Sequence, residues 1–206
     1  MELVLIRHAL PLRVTGVDGP ADPRLAEDGS AQAERLAAYL DDDPITAVYS
    51  SPLRRAVETA APLAARRGLV VETSDGLAEW DRNAAEYVPI EELRATGDPR
   101  WAAMVAGEWI SDEEPEAFAA RVVASLDAII ASHPGEMVVA VCHGGVINSY
   151  LGHVLGRPGN GTFFAPNYTS IHRVAASRSG HRQVMTMNET PHLRNSGLPI
   201  GLFDRG

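Results

Sequence analysis

The fold is decided by the stretch Leu3-Val4-Leu5-Ile6-Arg7-His8. It is a short apolar run that predicts a buried β-strand, and it stops at two polar residues. A second stretch of the same kind, Met137-Val138-Val139-Ala140-Val141-Cys142-His143-Gly144-Gly145, also reaches a histidine and leads into a helical pattern at 146–155. Both stretches therefore predict strands whose carboxyl ends carry polar side chains.

The same alternation of short apolar runs and helical segments continues along the chain. Further strands are predicted at 45–49, 69–71, 168–175 and 182–187. Further helices are predicted at 31–40, 53–66 and 115–131. Strands that alternate with helices indicate a mainly parallel sheet, and the handedness of the connections places helices on both faces. The expected fold class is α/β with three layers, and the last two strands form a hairpin at the sheet edge.

The length of the chain supports one substantial domain covering residues 1–206. The alternating pattern breaks at 79–114, where Trp, Pro and acidic residues surround one candidate helix at 90–106. We expect this segment to form a small lid over the functional site. Its aromatic residues would either touch an apolar group of a ligand or form the lid's own core: Trp80, Tyr87, Trp101 and Trp109.

Charge and composition exclude several classes of protein. The net charge is −9, which argues against nucleic acid as a partner, because binding to a phosphate backbone usually needs a basic surface. All 18 basic residues are Arg, so chemistry that needs a lysine, such as a Walker A motif or a Schiff base, is absent.

The amino terminus and the cysteine content bear on the compartment. Residues 1–6 carry an acid and no basic residue, and their apolar run is too short for a signal peptide or a membrane span. Because Cys142 is the only cysteine, no intramolecular disulfide can form, which fits a reducing compartment. We therefore expect a cytoplasmic protein with no membrane partner, and we leave a homodimer open as its assembly.

His8 and His143 are the first candidates for a functional site. Ligands of open α/β sheets bind at the carboxyl ends of the strands, so the two imidazoles would share one crevice if their strands are neighbours. Gly144 and Gly145 then stand at a predicted helix N-terminus, where backbone N–H groups bind anions.

Arginines complete the expected anion site. The segment Ser51-Pro52-Leu53-Arg54-Arg55 leads from a predicted strand into a helix, and one of its two arginines should point into the crevice. A guanidinium stays charged and offers a planar fork of donors. Arg7 together with Arg54 or Arg55 would therefore neutralise a phosphoryl dianion.

Several motifs in matching order make the sequence resemble the histidine phosphatase (phosphoglycerate mutase-like) superfamily. No one of these motifs is specific alone, but their joint order and their places in the predicted topology are. The resemblance covers about residues 2–175 and is carried by Leu5-Ile6-Arg7-His8, 25–33, 51–60, Leu77-Ala78-Glu79 and 141–147.

The resemblance implies a role for each site residue. His8 would attack phosphorus while its other ring nitrogen donates to a backbone carbonyl, and water would later release the phosphate. The motif register selects Arg55 over Arg54 as the phosphate ligand. Glu79 would protonate the leaving oxygen and then deprotonate the water. The phosphate oxygens would be held by Arg7, Arg55, His143 and the Gly144 N–H.

The sequence departs from the family pattern after His8. Ala9 stands where many members have Gly, and a polar phosphate neighbour further on is missing, for which Arg13 or Thr15 would substitute. Cys142 lacks the surroundings of a cysteine phosphatase loop and is assigned to core packing. The histidine and cysteine spacings do not match a zinc site, so we expect no metal and no cofactor.

The predicted function is hydrolysis of a small phosphomonoester through a covalent phosphohistidine. One alternative is a phosphotransferase of the phosphoglycerate mutase type, although the chain is short for a mutase and has no lysine-bearing substrate segment. A second alternative is a pseudophosphatase that binds a phosphorylated ligand without turnover, against which the complete set of His8, Arg55, Glu79 and His143 argues.

Overall fold

The computed structural model describes residues 1–108, 111, 113–157 and 162–203. Trp109 lies outside the described residues, as does Gly159-Asn160-Gly161, which the sequence predicts to be a turn. Within the described part, no helix is both long enough and apolar enough to cross a membrane.

A six-stranded sheet occupies the centre of the molecule. Its strands are β1 (Glu2–Arg7), β2 (Ile45–Ser50), β3 (Val71–Thr73), β4 (Met137–Cys142), β5 (Ile171–Ala176) and β6 (Arg182–Glu189). They lie in the order β3-β2-β4-β1-β5-β6, where the first four are parallel and β5 pairs antiparallel with both β1 and β6. The mainly parallel sheet with a terminal hairpin is thus confirmed.

Helices cover both faces of the sheet. They are α1 (Glu27–Tyr39), α2 (Arg54–Arg67), α3 (Ile90–Thr96), α4 (Pro99–Val105), α5 (Pro115–Ser132) and α6 (Gly144–Val154). Alternation along β1 explains the layers: Leu3 and Leu5 pack with α5 and α6, whereas Val4 and Ile6 pack with α1 and α2. The three-layer α/β class is confirmed.

The structure differs from the sequence prediction most clearly at four elements. The strand expected at 168–175 begins only at Ile171, because Thr169 takes a left-handed φ of 51° that interrupts an extended strand. The strand expected at 69–71 is Val71–Thr73, because the Leu69 N–H still bonds to the Ala64 carbonyl at the end of α2. Helix α1 begins at Glu27, before the predicted 31–40 segment, since Gly29 and Ser30 continue the helix instead of breaking it. The single helix expected at 90–106 is two helices, because Gly97 takes a left-handed φ of 64° and Pro99 starts a new turn.

The segment expected to act as a lid is joined to the loop that follows β1. Val14 and Tyr87 form an isolated antiparallel bridge, with N–H to O distances of 2.9 Å and 2.8 Å. A third bond, of 2.8 Å, joins the Ala21 N–H to the Ala84 carbonyl. Both connections bring 84–87 beside the carboxyl ends of the central strands, and a lid function for 79–114 stays a prediction.

Helix α1 lies directly against the backbone that follows His8. The Leu10 carbonyl accepts from the Ala26 N–H at 3.0 Å, and the Leu10 N–H donates to the Gln32 side chain at 2.8 Å. A Cβ at Gly29 would overlap the Leu10 carbonyl, which is backbone and cannot swing aside. Only glycine permits this close approach.

We therefore expect Gly29→Ala to destabilise the protein by about 1–3 kcal/mol through overpacking, although alanine is normally the better helix former. Urea unfolding monitored by circular dichroism measures the change. The neighbouring exposed Ser30 provides a control, since Ser30→Ala should stay within about 0.5 kcal/mol. A neutral or stabilising Gly29→Ala would contradict the close approach.

Candidate active site

The site lies where β1 and β4 end side by side. Arg7 and Cys142 are paired in the parallel register, so the residues that follow them, His8 and His143, emerge together. Their ring centroids are 5.1 Å apart, and both residues are buried. The expected juxtaposition of the two histidines at the carboxyl edge of the sheet is therefore observed.

His8 is held in one tautomer. Its Nδ1 lies 2.8 Å from the Ala9 carbonyl oxygen, to which only a protonated nitrogen can donate. The Ala9 N–H in turn donates to Thr59 Oγ1 at 2.9 Å, which fixes the backbone after the histidine. Burial, and then the positive charges of Arg55 and Arg7, hold the pKa of His8 well below its usual value. His8 is thus neutral, with a lone pair at Nε2.

His143 is fixed by a serine that sequence reasoning did not single out. Its Nε2 is 2.7 Å from Ser51 Oγ, which also accepts from the Leu53 N–H at 3.2 Å. Because Ser51 Oγ already accepts from the Leu53 N–H, we assign its hydroxyl as the donor to Nε2, which places the ring proton of His143 on Nδ1. Burial, followed by Arg55, His8 and Arg7, lowers the pKa of His143, so it enters the site as a neutral donor.

Arg7 is buried and held from two directions. Its Nη1 donates to the Pro166 carbonyl at 2.6 Å, and its guanidinium carbon lies 4.3 Å from the centre of the Tyr168 ring. Stacking on an aromatic face is favourable for a planar cation. The segment that contains Pro166 and Tyr168 carries no recognisable motif, so its contact with Arg7 could not be predicted from the sequence.

Arg55 faces the site and Arg54 faces solvent. The Arg55 side chain is 2% exposed, bonds to Asp81 Oδ1 at 3.1 Å and lies over the Tyr87 ring at 4.7 Å. The Arg54 side chain is 55% exposed and pairs with Glu58 one helical turn later. The structure thus supports the register that the family motif selected.

Glu79 is a buried carboxyl whose pKa is raised to about 7. Burial is the main cause, and the nearby Asp81 carboxylate adds to it. Glu79 Oε2 accepts from the Gly145 N–H at 2.8 Å, and Oε1 accepts from the Trp80 N–H at 3.1 Å. The pKa of a carboxyl of this kind suits a group that both gives and takes a proton near neutral pH.

An arginine of α5 supports the turn that precedes Glu79. Arg121 Nη1 donates to the carbonyls of Asp75, Gly76 and Ala78 at 3.0–3.2 Å. The other side of the same guanidinium pairs with Glu113. Arg121 therefore stabilises the backbone turn that leads into Glu79. No local sequence pattern predicts this role.

The two glycines after His143 have different environments. A Cβ at Gly145 would overlap the Glu79 carboxylate, and the Gly145 N–H is already bonded to that group. Nothing described lies within 4 Å of a Cβ built at Gly144. At the N-terminus of α6, Gly144 therefore lies beside open space, whereas the Gly145 N–H binds the Glu79 carboxylate.

The structure does not bring every candidate into this cluster. Arg13 is half exposed and lies 3.4 Å from Glu92 on α3, and Thr15 is exposed, so no described contact takes either residue to the two histidines. Cys142 is buried in the core beneath α6, as expected. Within the described ranges, no group of three or more His, Cys, Asp or Glu side chains could hold a metal ion.

Three buried donors point to an anion. Among the described residues, no hydrogen-bond partner is present for Arg7 Nε, Arg55 Nε and His143 Nδ1. Unsatisfied buried donors are costly, and two of these belong to charged groups. All three surround a neutral His8, so the arrangement can bind a compact dianion and place a nucleophile against it.

The cluster of two buried histidines and two buried arginines lies at the carboxyl edge of a mainly parallel α/β sheet, and fold and site together indicate the class of protein. The family model of the histidine phosphatase superfamily (branch 1) matches residues 3–190. The chain belongs to this superfamily.

Individual relatives agree with that membership. The chain is 46% identical over 77 residues to an uncharacterized protein of Mycobacterium tuberculosis, a match that covers 36% of this chain and only 38% of that protein. It is 32% identical to phosphoglycerate mutase-like protein 4 of Arabidopsis thaliana, covering 72% of this chain and 68% of that one. A mycobacterial glucosyl-3-phosphoglycerate phosphatase, solved in complex with inorganic phosphate, superposes with a TM-score of 0.73 at 26% identity, covering 93% and 98% of the two chains.

The opposite orientations of the two neighbouring arginines give a matched pair of variants. We expect Arg55→Ala to lower phosphatase kcat/KM by about 10³-fold or more, because it removes a buried charge aimed at the anion. Arg54→Ala should change kcat/KM by less than about threefold, since it removes only an exposed ion pair. Assays on p-nitrophenyl phosphate measure both. Equal losses would show that both arginines reach the site.

Proposed function

We propose that the protein is a phosphomonoester hydrolase that acts on a small phosphorylated substrate through a covalent phosphohistidine on His8. The observation that carries the proposal is the set of three buried donors near a neutral His8 that have no hydrogen-bond partner among the described residues. The relative named as a phosphatase was solved with inorganic phosphate, which supports phosphate as a ligand of this chain.

The proposed chemistry begins with attack of His8 Nε2 on phosphorus. The new N–P bond forms as the bond from phosphorus to the leaving oxygen breaks, and the protonated Glu79 carboxyl gives its proton to that oxygen. Arg7, Arg55 and His143 stabilise the charge on the equatorial oxygens, and Gly144 contributes its N–H. In the second half, Glu79 accepts a proton from water, whose oxygen attacks phosphorus and releases His8 and inorganic phosphate.

We further propose that this reaction needs no metal ion. The two guanidiniums and the donors of His143 and the α6 N-terminus supply the positive charge that a divalent cation would otherwise provide. A mutase would use the same phosphoenzyme, but would return the phosphoryl group to a bound acceptor instead of water. We propose hydrolysis as the outcome, and the cytoplasm stays the predicted compartment.

The phosphoenzyme gives a direct test of the nucleophile. Quenching turnover of a ³²P-labelled phosphomonoester in alkali should leave label on His8, and acid should release it, because a phosphoramidate is stable to base and labile to acid. Peptide mapping after alkaline quench locates the label, and His8→Ala serves as the unlabelled control. Acid-stable label on Ser, Asp or Cys would replace the proposed mechanism with another.

The raised pKa of Glu79 predicts a pH dependence that varies with the leaving group. A general acid is lost as pH rises through its pKa. The second-order rate constant of phosphorylation by an alkyl phosphate at subsaturating concentration, which reports the unliganded protein, should therefore fall about tenfold per pH unit above about 7. Phosphorylation by p-nitrophenyl phosphate, whose leaving group departs unaided, should stay nearly flat. Glu79→Gln should lower the alkyl rate by about 10²–10⁴-fold and abolish its pH dependence.

Equal losses for both substrates in Glu79→Gln would assign Glu79 a structural role. The proton donor would then be sought at Asp81, which lies beside Arg55. Glu86 is the weaker candidate, because its carboxylate pairs with Arg100 on the exposed side of α4.

A further inference from the structure

The segment 163–170 contacts Arg7 three times although it is neither helix nor strand. The Pro166 carbonyl accepts from Arg7 Nη1 at 2.6 Å, the Tyr168 ring stacks on the guanidinium, and the Ser170 carbonyl accepts from the Arg7 backbone N–H at 3.3 Å. A loop carbonyl orients a guanidinium only as well as the loop itself is held. The placement of Arg7 therefore depends on whatever fixes Pro166.

Asn188 fixes Pro166 from both sides. At the end of β6, its Oδ1 accepts from the Asn167 N–H at 2.7 Å and its Nδ2 donates to the Ala165 carbonyl at 3.2 Å. One side-chain amide thus binds the residue before and the residue after Pro166. This arrangement leaves Pro166 little freedom to move its carbonyl relative to β6.

The backbone of Asn188 is specialised for this position. Its φ is 57°, a left-handed conformation that asparagine tolerates better than most residues. Its N–H donates to His172 Nδ1 at 3.2 Å, and burial lowers the pKa of His172 to about 3, so this ring is a neutral acceptor. His172 Nε2 lies 2.9 Å from Ser170 Oγ, which connects the same network to the Ser170 carbonyl beneath Arg7.

A second asparagine ties the segment to α6. Asn148 Oδ1 accepts from the N–H groups of Phe163 and Phe164 at 2.9 Å and 3.3 Å, and its Nδ2 donates to the carbonyls of Gly144 and Phe164 at 2.9 Å and 3.1 Å. The segment is therefore held at one end against the helix that follows His143 and at the other against β6. Of the two asparagines, Asn188 is the one whose side chain bonds to the residues on both sides of Pro166, whose carbonyl accepts from Arg7.

We propose that Asn188 is a positioning residue that sets the orientation of the Arg7 guanidinium through the Pro166 carbonyl. The proposal rests on the proposed function in that Arg7 is taken to bind phosphate. The described hydrogen bonds of Asn188 go to Asn167, His172 and Ala165 and not to a reacting group, so its effect on phosphate should pass through Arg7. Loss of the two side-chain hydrogen bonds of Asn188 should leave the fold in place but misalign the Arg7 guanidinium. Charge-assisted hydrogen bonds are sensitive to such misalignment.

The test is a double-mutant cycle with inorganic phosphate as the probe. Asn188→Gly removes the amide without adding strain at a left-handed position. Arg7→Lys keeps a positive charge but removes the guanidinium fork that Pro166 orients. Asn188→Gly should raise the phosphate Kd about 10-fold in the parent protein and less than about twofold in the Arg7→Lys background. Titration followed by NMR measures all four constants.

Asn195 provides the matched control. It is also an asparagine with a left-handed φ, of 56°, and it is exposed. Asn195→Gly should change the phosphate Kd by less than about twofold. Thermal unfolding of each variant separates a loss of fold from a loss of alignment, and Asn188→Asp, which keeps the acceptor for the Asn167 N–H, replaces Asn188→Gly in the cycle if that variant does not fold.

The outcomes are distinguishable. Equal weakening by Asn188→Gly in both backgrounds, or no weakening in the parent, overturns the positioning role of Asn188. A parent protein that does not bind phosphate overturns the proposed function instead, and this inference with it. If the protein binds phosphate but shows no turnover, only the proposed hydrolytic activity is contradicted. The double-mutant cycle then still tests the effect of Asn188 on Arg7.

Discussion

The cost of burying Arg7 and Arg55 beside two imidazoles governs the rest of this site. Two guanidiniums withdrawn from water repel each other. Burial, followed by these positive charges, lowers the pKa of His8 and of His143, so neither histidine is charged. Each arginine has only part of the compensation that burial requires: a carbonyl and a tyrosine face for Arg7, a carboxylate and a tyrosine face for Arg55. In the proposed function, a bound dianion would satisfy the remaining donors. The buried positive charge at the end of β1 would then cost stability in the unliganded protein and contribute affinity for phosphate.

The sheet is what makes this concentration of charge feasible. Parallel pairing brings Arg7 level with Cys142, so consecutive residues of two neighbouring strands deliver a nucleophile and a donor at one edge without any long side-chain reach. The surrounding helices then bury the site from both faces. Because Gly29 permits α1 to lie against the Leu10 carbonyl, the backbone immediately after His8 is held as firmly as the strand before it. Rigidity of this kind is what phosphoryl transfer requires, since its catalysis consists mainly of positioning and charge stabilisation.

The sequence was informative where the fold and the chemistry follow a local pattern. Apolar runs ending in His8 and His143 predicted both strands and the crevice between them, and motif register separated Arg55 from Arg54. The break between α3 and α4 could also have been predicted, because Gly97 and Pro99 are ordinary stop and start signals within the single helix expected there. Ser51, Pro166 and Asn188 could not have been found in this way. Each acts through a contact with a residue distant in the chain, and nothing in its own neighbourhood marks it.

Asp81 links the charge of Arg55 to the protonation of Glu79. It pairs with Arg55 and also raises the pKa of Glu79, whereas Arg55 lowers that pKa. In the proposed function, a bound phosphoryl group would share the charge of Arg55 and add negative charge of its own, and both changes would raise the pKa of Glu79. The carboxyl would then carry a proton when a leaving oxygen is present to receive it. After inorganic phosphate leaves, Arg55 would again act on Glu79 without a competing anion, and the pKa would return toward about 7. The Arg55–Asp81 ion pair would in this way link the protonation of Glu79 to the occupancy of the site.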